Sequence, residues 1–327
     1  MPAVQPPSRT LDLDVVVTAK SGQPVLGLNQ QDFTILDNKS PRPITSFSVA
    51  TPADHPVKVI LFIDAVNIPY STLAFVRNGV DKFLRANDAK LAYSTAIAIL
   101  TDNGAEIGNA FTTDGNVLAD SLQHQSIGIR QITRSSQWGG SERLQICLNA
   151  FHQLVDYAST LPGRKVVLWI SSGWPLLSGP NFSITAKQQE QIFDNIVYFS
   201  SRMRQAGIAL YNINPLGASE SLVEASYYQG FLKGVSKPGE VQYGNLGLQV
   251  LALHSGGLAL ESSNDVTGLI QECVAENRSW YRIGFDPTPA DKPNEYHHIE
   301  VKLDQHGLTA RTRDGYYANP TPVSASR

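Results

Sequence analysis

The residue best placed to do chemistry is Asp64. It ends Val57-Lys-Val-Ile-Leu-Phe-Ile-Asp64, an almost unbroken apolar run whose branched residues Val57, Val59, Ile60 and Ile63 fit a strand buried on both faces. A carboxylate emerging from such a strand stands where open α/β sheets bind ligands. The plainer reading is an acid that caps the turn or helix after it. Ser171-Ser172-Gly173 follows a second apolar run, Lys165–Ser171, and a hydrolase nucleophile at Ser172 would sit there. The GxSxG elbow is missing, however, and no nearby His presents itself as a base. Asp102 in Asp-Asn-Gly and Asp114 in Asp-Gly read as turn chemistry. Cys147 and Cys273 are far apart, with no CxxC, so they read as two buried thiols or as one disulfide. The adjacent His297 and His298 lie in a strand-like run and face opposite ways, and no His reads as a metal ligand. Neither GxGxxG after a strand nor GxxxxGK[ST] occurs, which leaves dinucleotide and P-loop chemistry unsupported.

Composition narrows the partners. With 327 residues, 42% hydrophobic and 17% charged, the chain is long enough for one large or two modest domains. A net charge of −3 gives no electrostatic reason to bind nucleic acid or an anionic membrane. No apolar run approaches the roughly 18 residues that span a bilayer, so no membrane insertion is expected. Met1–Arg9 lacks a signal peptide's apolar core and reads as a linker, or as the start left after a removed segment.

The elements that must position Asp64 follow from periodicity. Leu11–Ala19 alternates, Val25–Leu28 and Phe33–Leu36 are short strand-like runs, and Ile44–Val49 alternates again. After the link Thr51–Pro56, strand and helix alternate: strand 57–64, helix 71–85, strands 95–100 and 106–111, helices 116–124 and 143–159, strand 165–171, helix 187–206, strand 208–212, helix 246–254, strand 258–261 and a helix from Asp265 to Ala275. Mostly parallel strands linked by helices predict a doubly wound α/β sheet. Trp280–Phe285, His297–Leu303 and Leu308–Thr312 return to strand patterning. The two β-rich ends are expected to meet in a smaller, discontinuous β domain. The expected boundaries are 7–50 and 277–318 for that domain, 56–276 for the α/β domain, and 319–327 for a tail.

At several places the chain resembles the von Willebrand factor A (vWA) domain, in particular a bacterial vWA-related family. Val15–Val25, Gly27-Leu28, Asp32-Phe33 and Ile44–Phe47 are similar to that family's leading β segment. Gly139-Gly140-Ser141 resembles a Gly-Gly-Thr that opens a helix, and Ser255-Gly-Gly257 a Thr-Gly-Gly before the last strand. Tyr281–Phe285 and Arg311–Tyr316 resemble its closing strands. The resemblance implies a metal-ion-dependent adhesion site, an Asp-x-Ser-x-Ser loop joined by a Thr and a second Asp around a divalent cation, commonly Mg²⁺. Carried over residue by residue, the candidate ligands are Asp64, Asn67, Ser141 and Ser172. Val66 and Ile68 stand where two hydroxyls belong, so the site reads as degenerate: no cofactor is expected, and Mg²⁺ is the ion it would take if it bound one.

Trp138 and Trp174 lie in loops expected at the same edge as Asp64, where exposed aromatics favour protein contact; the plainer reading is that each ring packs over its own loop. The expected function is therefore non-enzymatic protein interaction through the loops around Asp64, with a protein partner of unknown identity. A metal-dependent adhesion module comes second, and a hydrolase using Asp64 and Ser172 third. The resemblance also implies an exported protein.

Overall fold

The structure, a computed structural model, describes residues 10–108, 110–124, 137–175, 177, 184–217 and 227–320. The chain divides into two units, one joining Met1–Asp54 to Glu276–Arg327 and the other formed by His55–Ala275. The alternating stretch Leu11–Ala19 is strand β1, with Leu11, Leu13, Val15 and Val17 buried on one face. It is followed by β2 (Phe33–Asp37), β3 (Ser40–Arg42) and β4 (Ile44–Ala50).

In the second unit strands and helices alternate, as the periodicity predicts. In chain order they are β5 (Val57–Asp64), α1 (Tyr70–Arg85), β6 (Lys90–Thr101), β7 (Gly104–Ile107), β8 (Thr112–Asp114), α2 (Gly115–His124) and α3 (Gln137–Ser159). Then come β9 (Arg164–Ile170), α4 (Ala186–Gln205), β10 (Ile208–Ile213), α5 (Leu248–His254), β11 (Ala259–Leu260) and α6 (Val266–Glu276). The sheet order is β11-β10-β9-β5-β6-β7, with β8 also on β6. Every neighbouring pair from β11 to β6 is parallel, while β7 and β8 run antiparallel to β6. The chain leaves β5 for β6 on one side and later returns to β9 on the other. Right-handed crossovers in opposite lateral directions place helices on opposite faces. They also leave a crevice between β5 and β9, where the strand order reverses. This is the expected doubly wound fold.

The chain's end completes the first unit with β12 (Trp280–Phe285), β13 (Glu295–Leu303), β14 (Leu308–Arg311) and β15 (Gly315–Ala318). Two four-stranded antiparallel sheets result, β14-β1-β12-β4 and β15-β13-β2-β3. Leu13, Val15, Phe33, Ile35, Tyr281, Ile283, Phe285, Ile299 and Tyr316 belong to one core shared by both sheets. The two chain ends thus interleave in one β unit.

The structure departs from the sequence reading in a few places. Val25–Leu28 is not a strand. Val25 N donates to Val17 O at 2.8 Å, and the Tyr281 hydroxyl accepts from Leu28 N and donates to Val25 O, both at 3.1 Å. These backbone groups of Val25 and Leu28 are met without a second ladder. The expected strand 106–111 is divided into β7 and β8, the chain leaving β7 at Gly108, whose N–H bonds Ile97 O at 3.0 Å. β3, Ser-Pro-Arg, went unread because proline is tolerated only at a sheet edge.

Candidate functional site

The site is built at the β5–β9 switch point. β5 is buried along nearly its whole length, with β6 and β9 beside it, and this carries Asp64 to the carboxyl edge with 0% exposure. The chain then turns sharply through Ala65–Pro69 into α1. Asp64 Oδ1 shapes that turn by accepting from Val66 N at 3.0 Å and Asn67 N at 2.9 Å. Oδ2 accepts from Asn67 Nδ2 at 2.8 Å, Ser171 Oγ at 2.8 Å and Trp169 Nε1 at 3.2 Å. Five donors therefore saturate one carboxylate. Burial raises the Asp64 pKa, while the bonds from Asn67, Ser171 and Trp169 oppose that rise without cancelling it.

Asn67 links the loop to its surroundings. The amide Nδ2 that serves Asp64 also donates to Cys147 Sγ on α3 at 3.0 Å, and Ser172 Oγ donates to the Asn67 carbonyl at 3.1 Å. Cys147 and Cys273 are buried and form no disulfide, which resolves the sequence alternative in favour of two thiols. Burial pushes the Cys147 thiol well above its usual range, and the nearby Asp64 charge adds to that.

Of the four candidate ligands, Asp64, Asn67 and Ser172 fall into one network. Ser141 lies in the early turns of α3 with an exposed side chain and is not among the donors to Asp64. The hydroxyl that reaches Asp64 belongs to Ser171 instead. In the parallel ladder Ile63 pairs with Ile170, so the next residue on each strand, Asp64 and Ser171, stand side by side. That register, together with the rule that a buried indole N–H seeks a partner, is the signal that could have found Ser171 and Trp169 from sequence.

These residues do not fit a divalent cation. Both carboxylate oxygens are already committed, Asn67 turns its amide N–H₂ toward Asp64, and Val66 and Ile68 add hydrocarbon that is 8% and 1% exposed. Among the described residues, no group of three or more His, Cys, Asp or Glu side chains is arranged to hold a metal.

The expectation of exposed tryptophans is corrected at Trp174, which is 4% exposed. Its ring packs edge-on to Phe151 and Trp169, with centroids 5.6 and 5.4 Å away. Gly173 makes this fold-back feasible with φ +105°, and a Cβ there would lie 2.8 Å from Gln249 Nε2. Trp138 falls in the first turn of α3, and its side chain lies outside the described residues. An aromatic that the sequence reading passed over is exposed instead. Tyr70, the first residue of α1, is 74% exposed and directly follows the Asp64 loop. Backbone bonds from Thr72 and Leu73 N–H to Pro69 O, at 2.9 and 3.0 Å, fix the start of that helix.

No family model matches the chain, and no curated protein does. Solved structures give distant likenesses. An aerotolerance-related membrane protein from Bacteroides fragilis NCTC 9343 aligns at 14% identity over 66% of this chain and 98% of its own, with TM-score 0.35. The human COPII-coat protein Sec24c aligns at 8% identity over 82% of this chain and 44% of its own, with TM-score 0.38. The PilB minor pilin from Streptococcus sanguinis aligns at 9% identity over 84% of this chain and 81% of its own, with TM-score 0.37. At such values these likenesses carry no function to this chain.

Proposed function

We propose that this chain is a non-enzymatic protein-interaction module of the vWA type, whose Asp64 loop is a fixed platform and not a metal or catalytic centre. The observation that carries this reading is the saturation of Asp64 by five donors at 0% exposure. A carboxylate in that state has no lone pair turned to a ligand and serves to hold the loop rigid. Rigid loops at a sheet's carboxyl edge present side chains at little entropic cost. Tyr70 is the side chain presented here, and exposed tyrosines are frequent anchors of interfaces. Ser171 is 0% exposed with its hydroxyl on Asp64, and Ser172 is spent on the Asn67 carbonyl, which disfavours a hydrolase. The vWA resemblance also suggests export. Among the described residues no helix is long and apolar enough to cross a membrane.

The test is retention of partners from the native cell on immobilised wild type and on Tyr70→Ala. The expected result is loss of specific partners in the variant, with affinity lower by about 2 kcal/mol or more and an unchanged melting temperature. Equal retention by both proteins removes Tyr70 and this rim from the interface.

A further inference from the structure

The edge strands of the β unit differ in how they are guarded. β3 is three residues long and carries Pro41 and Arg42. β14 is four residues long and ends in Arg311, while β15 is four residues long and mostly buried. Shortness, proline, charge and cover are the ordinary means of keeping an edge from recruiting another strand. Among the described residues β4 has none of these four, its one guard being the register shift beside Thr45. It is seven residues long, Ile44-Thr-Ser-Phe-Ser-Val-Ala50, without charge or proline, and Thr45, Ser46, Ser48 and Val49 are exposed. Beyond its ladder with β12, among the described residues, β4 takes part in one bond, from Gln30 Nε2 to Ile44 O at 3.5 Å. The register shift that passes over Thr45 lies near one end and leaves Ser46–Ala50 regular.

We propose that β4 is a self-pairing edge, on which a second copy of this chain adds its own β4 antiparallel across a two-fold axis. The strand's own sequence argues for that occupant. Thr45-Ser-Phe-Ser-Val49 reads nearly alike in both directions about Phe47. An antiparallel pair centred on Phe47 sets Ser46 against Ser48 twice and Phe47 against Phe47, with Val49 facing the bulged Thr45, its near-isostere, at each end. This is the self-complementarity that an isologous contact requires, built from favourable cross-strand pairs. An uncharged strand also meets no like-charge repulsion from its copy. Phe47 is held in place by Phe33 and Tyr281, with ring centroids 5.5 and 5.7 Å away, so little side-chain order remains to be lost. A pairing this short buries less than the roughly 1,200 Å² of a stable interface, so the association is weak and concentration-dependent. It stands apart from the reading of the Asp64 loop.

Sedimentation equilibrium of the full chain over roughly 5–500 µM tests this. The average mass is expected to rise toward the dimer with concentration. Ser48→Lys and, independently, Thr45→Lys should each weaken association tenfold or more with unchanged circular dichroism, while Thr309→Lys on β14 should leave it intact. Amide exchange within Ser46–Val49 should slow with concentration in the wild type alone. A wild type that stays monomeric across the range overturns the proposal and leaves the edge to a strand of other sequence. A dimer unaffected by both β4 lysines overturns it as well, because the contact then lies elsewhere.

Discussion

Asp64 closes β5 in the α/β unit and Asp37 closes β2 in the β unit, and both are 0% exposed. Their partners come from different distances along the chain. Asp64 takes three of its five bonds from its own loop and two from the end of neighbouring β9. Asp37 accepts from Thr288 N at 2.8 Å, His297 Nδ1 at 2.9 Å and the Tyr316 hydroxyl at 3.0 Å, all more than 250 residues away. One carboxylate shapes a local turn, and the other ties the two chain ends together. Their acidities also move in opposite directions. At Asp64 burial outweighs the donors, and its pKa is raised. At Asp37 burial also pushes upward, but the bonds from Thr288, His297 and Tyr316 prevail, and its pKa is lowered. The balance between desolvation and hydrogen bonds to the charged form decides which way a buried carboxylate shifts.

The largest expected effect that sharpens this contrast is Asp64→Ala, which orphans five donors. Urea unfolding followed in the α/β unit by amide exchange should show a loss of about 3–5 kcal/mol. Asp37→Ala orphans three donors and should cost the β unit about 2–3 kcal/mol. A larger loss at Asp37 than at Asp64 would break the ranking by donor count. Next in size is a pair of ring changes. Trp169→Phe deletes a donor to Asp64, whereas the Trp174 indole N–H has no hydrogen-bond partner among the described residues. Trp169→Phe should therefore cost about 1 kcal/mol more than Trp174→Phe, and equal costs would mean that the Asp64 bond contributes nothing.

The smallest effects are in pH dependence, and their signs oppose. Because Asp37 is depressed in the folded chain, its stabilisation is full above the unfolded-chain value, about 3.9. It is lost as pH falls through the lower folded value. Because Asp64 is raised, the folded chain holds the extra proton between the unfolded value and the higher folded one. Stability therefore falls as pH rises through that window and returns on acidification. Asp37→Asn should remove a loss of stability on acidification, and Asp64→Asn should remove a gain. Denaturation curves from pH 7 to pH 3, resolved by unit through amide exchange, check both signs. Slopes of the same sign in both units would contradict the opposite shifts of the two carboxylates.

Much of the fold was legible because hydrophobic periodicity carries it. The apolar run of β5, the alternation of β1 and the amphipathic α1 and α4 lie within a residue or two of the positions read from sequence. The short edge strands were harder to see, since β3 has too few residues to show a period. At the site, Asp64 and Asn67 were legible because they belong to one loop. Ser171 was missed by one residue in favour of Ser172, because its role depends on the register between two strands far apart in sequence. Trp174 was misplaced because the fold-back at Gly173 buries a ring that loop composition alone would leave outside. The Asp37–His297–Tyr316 cluster went unread for the same reason, its members lying at opposite ends of the chain.

The central claim is that Asp64 organises its loop and binds no cation. Paramagnetic Mn²⁺ tests it most directly, titrated into the wild-type chain while the amide resonances of Val66 and Asn67 are followed, since both donate to Asp64 Oδ1. The account predicts no selective broadening of these two signals at submillimolar Mn²⁺. Saturable broadening confined to them and reversed by Mg²⁺ would contradict it and restore the metal-dependent reading.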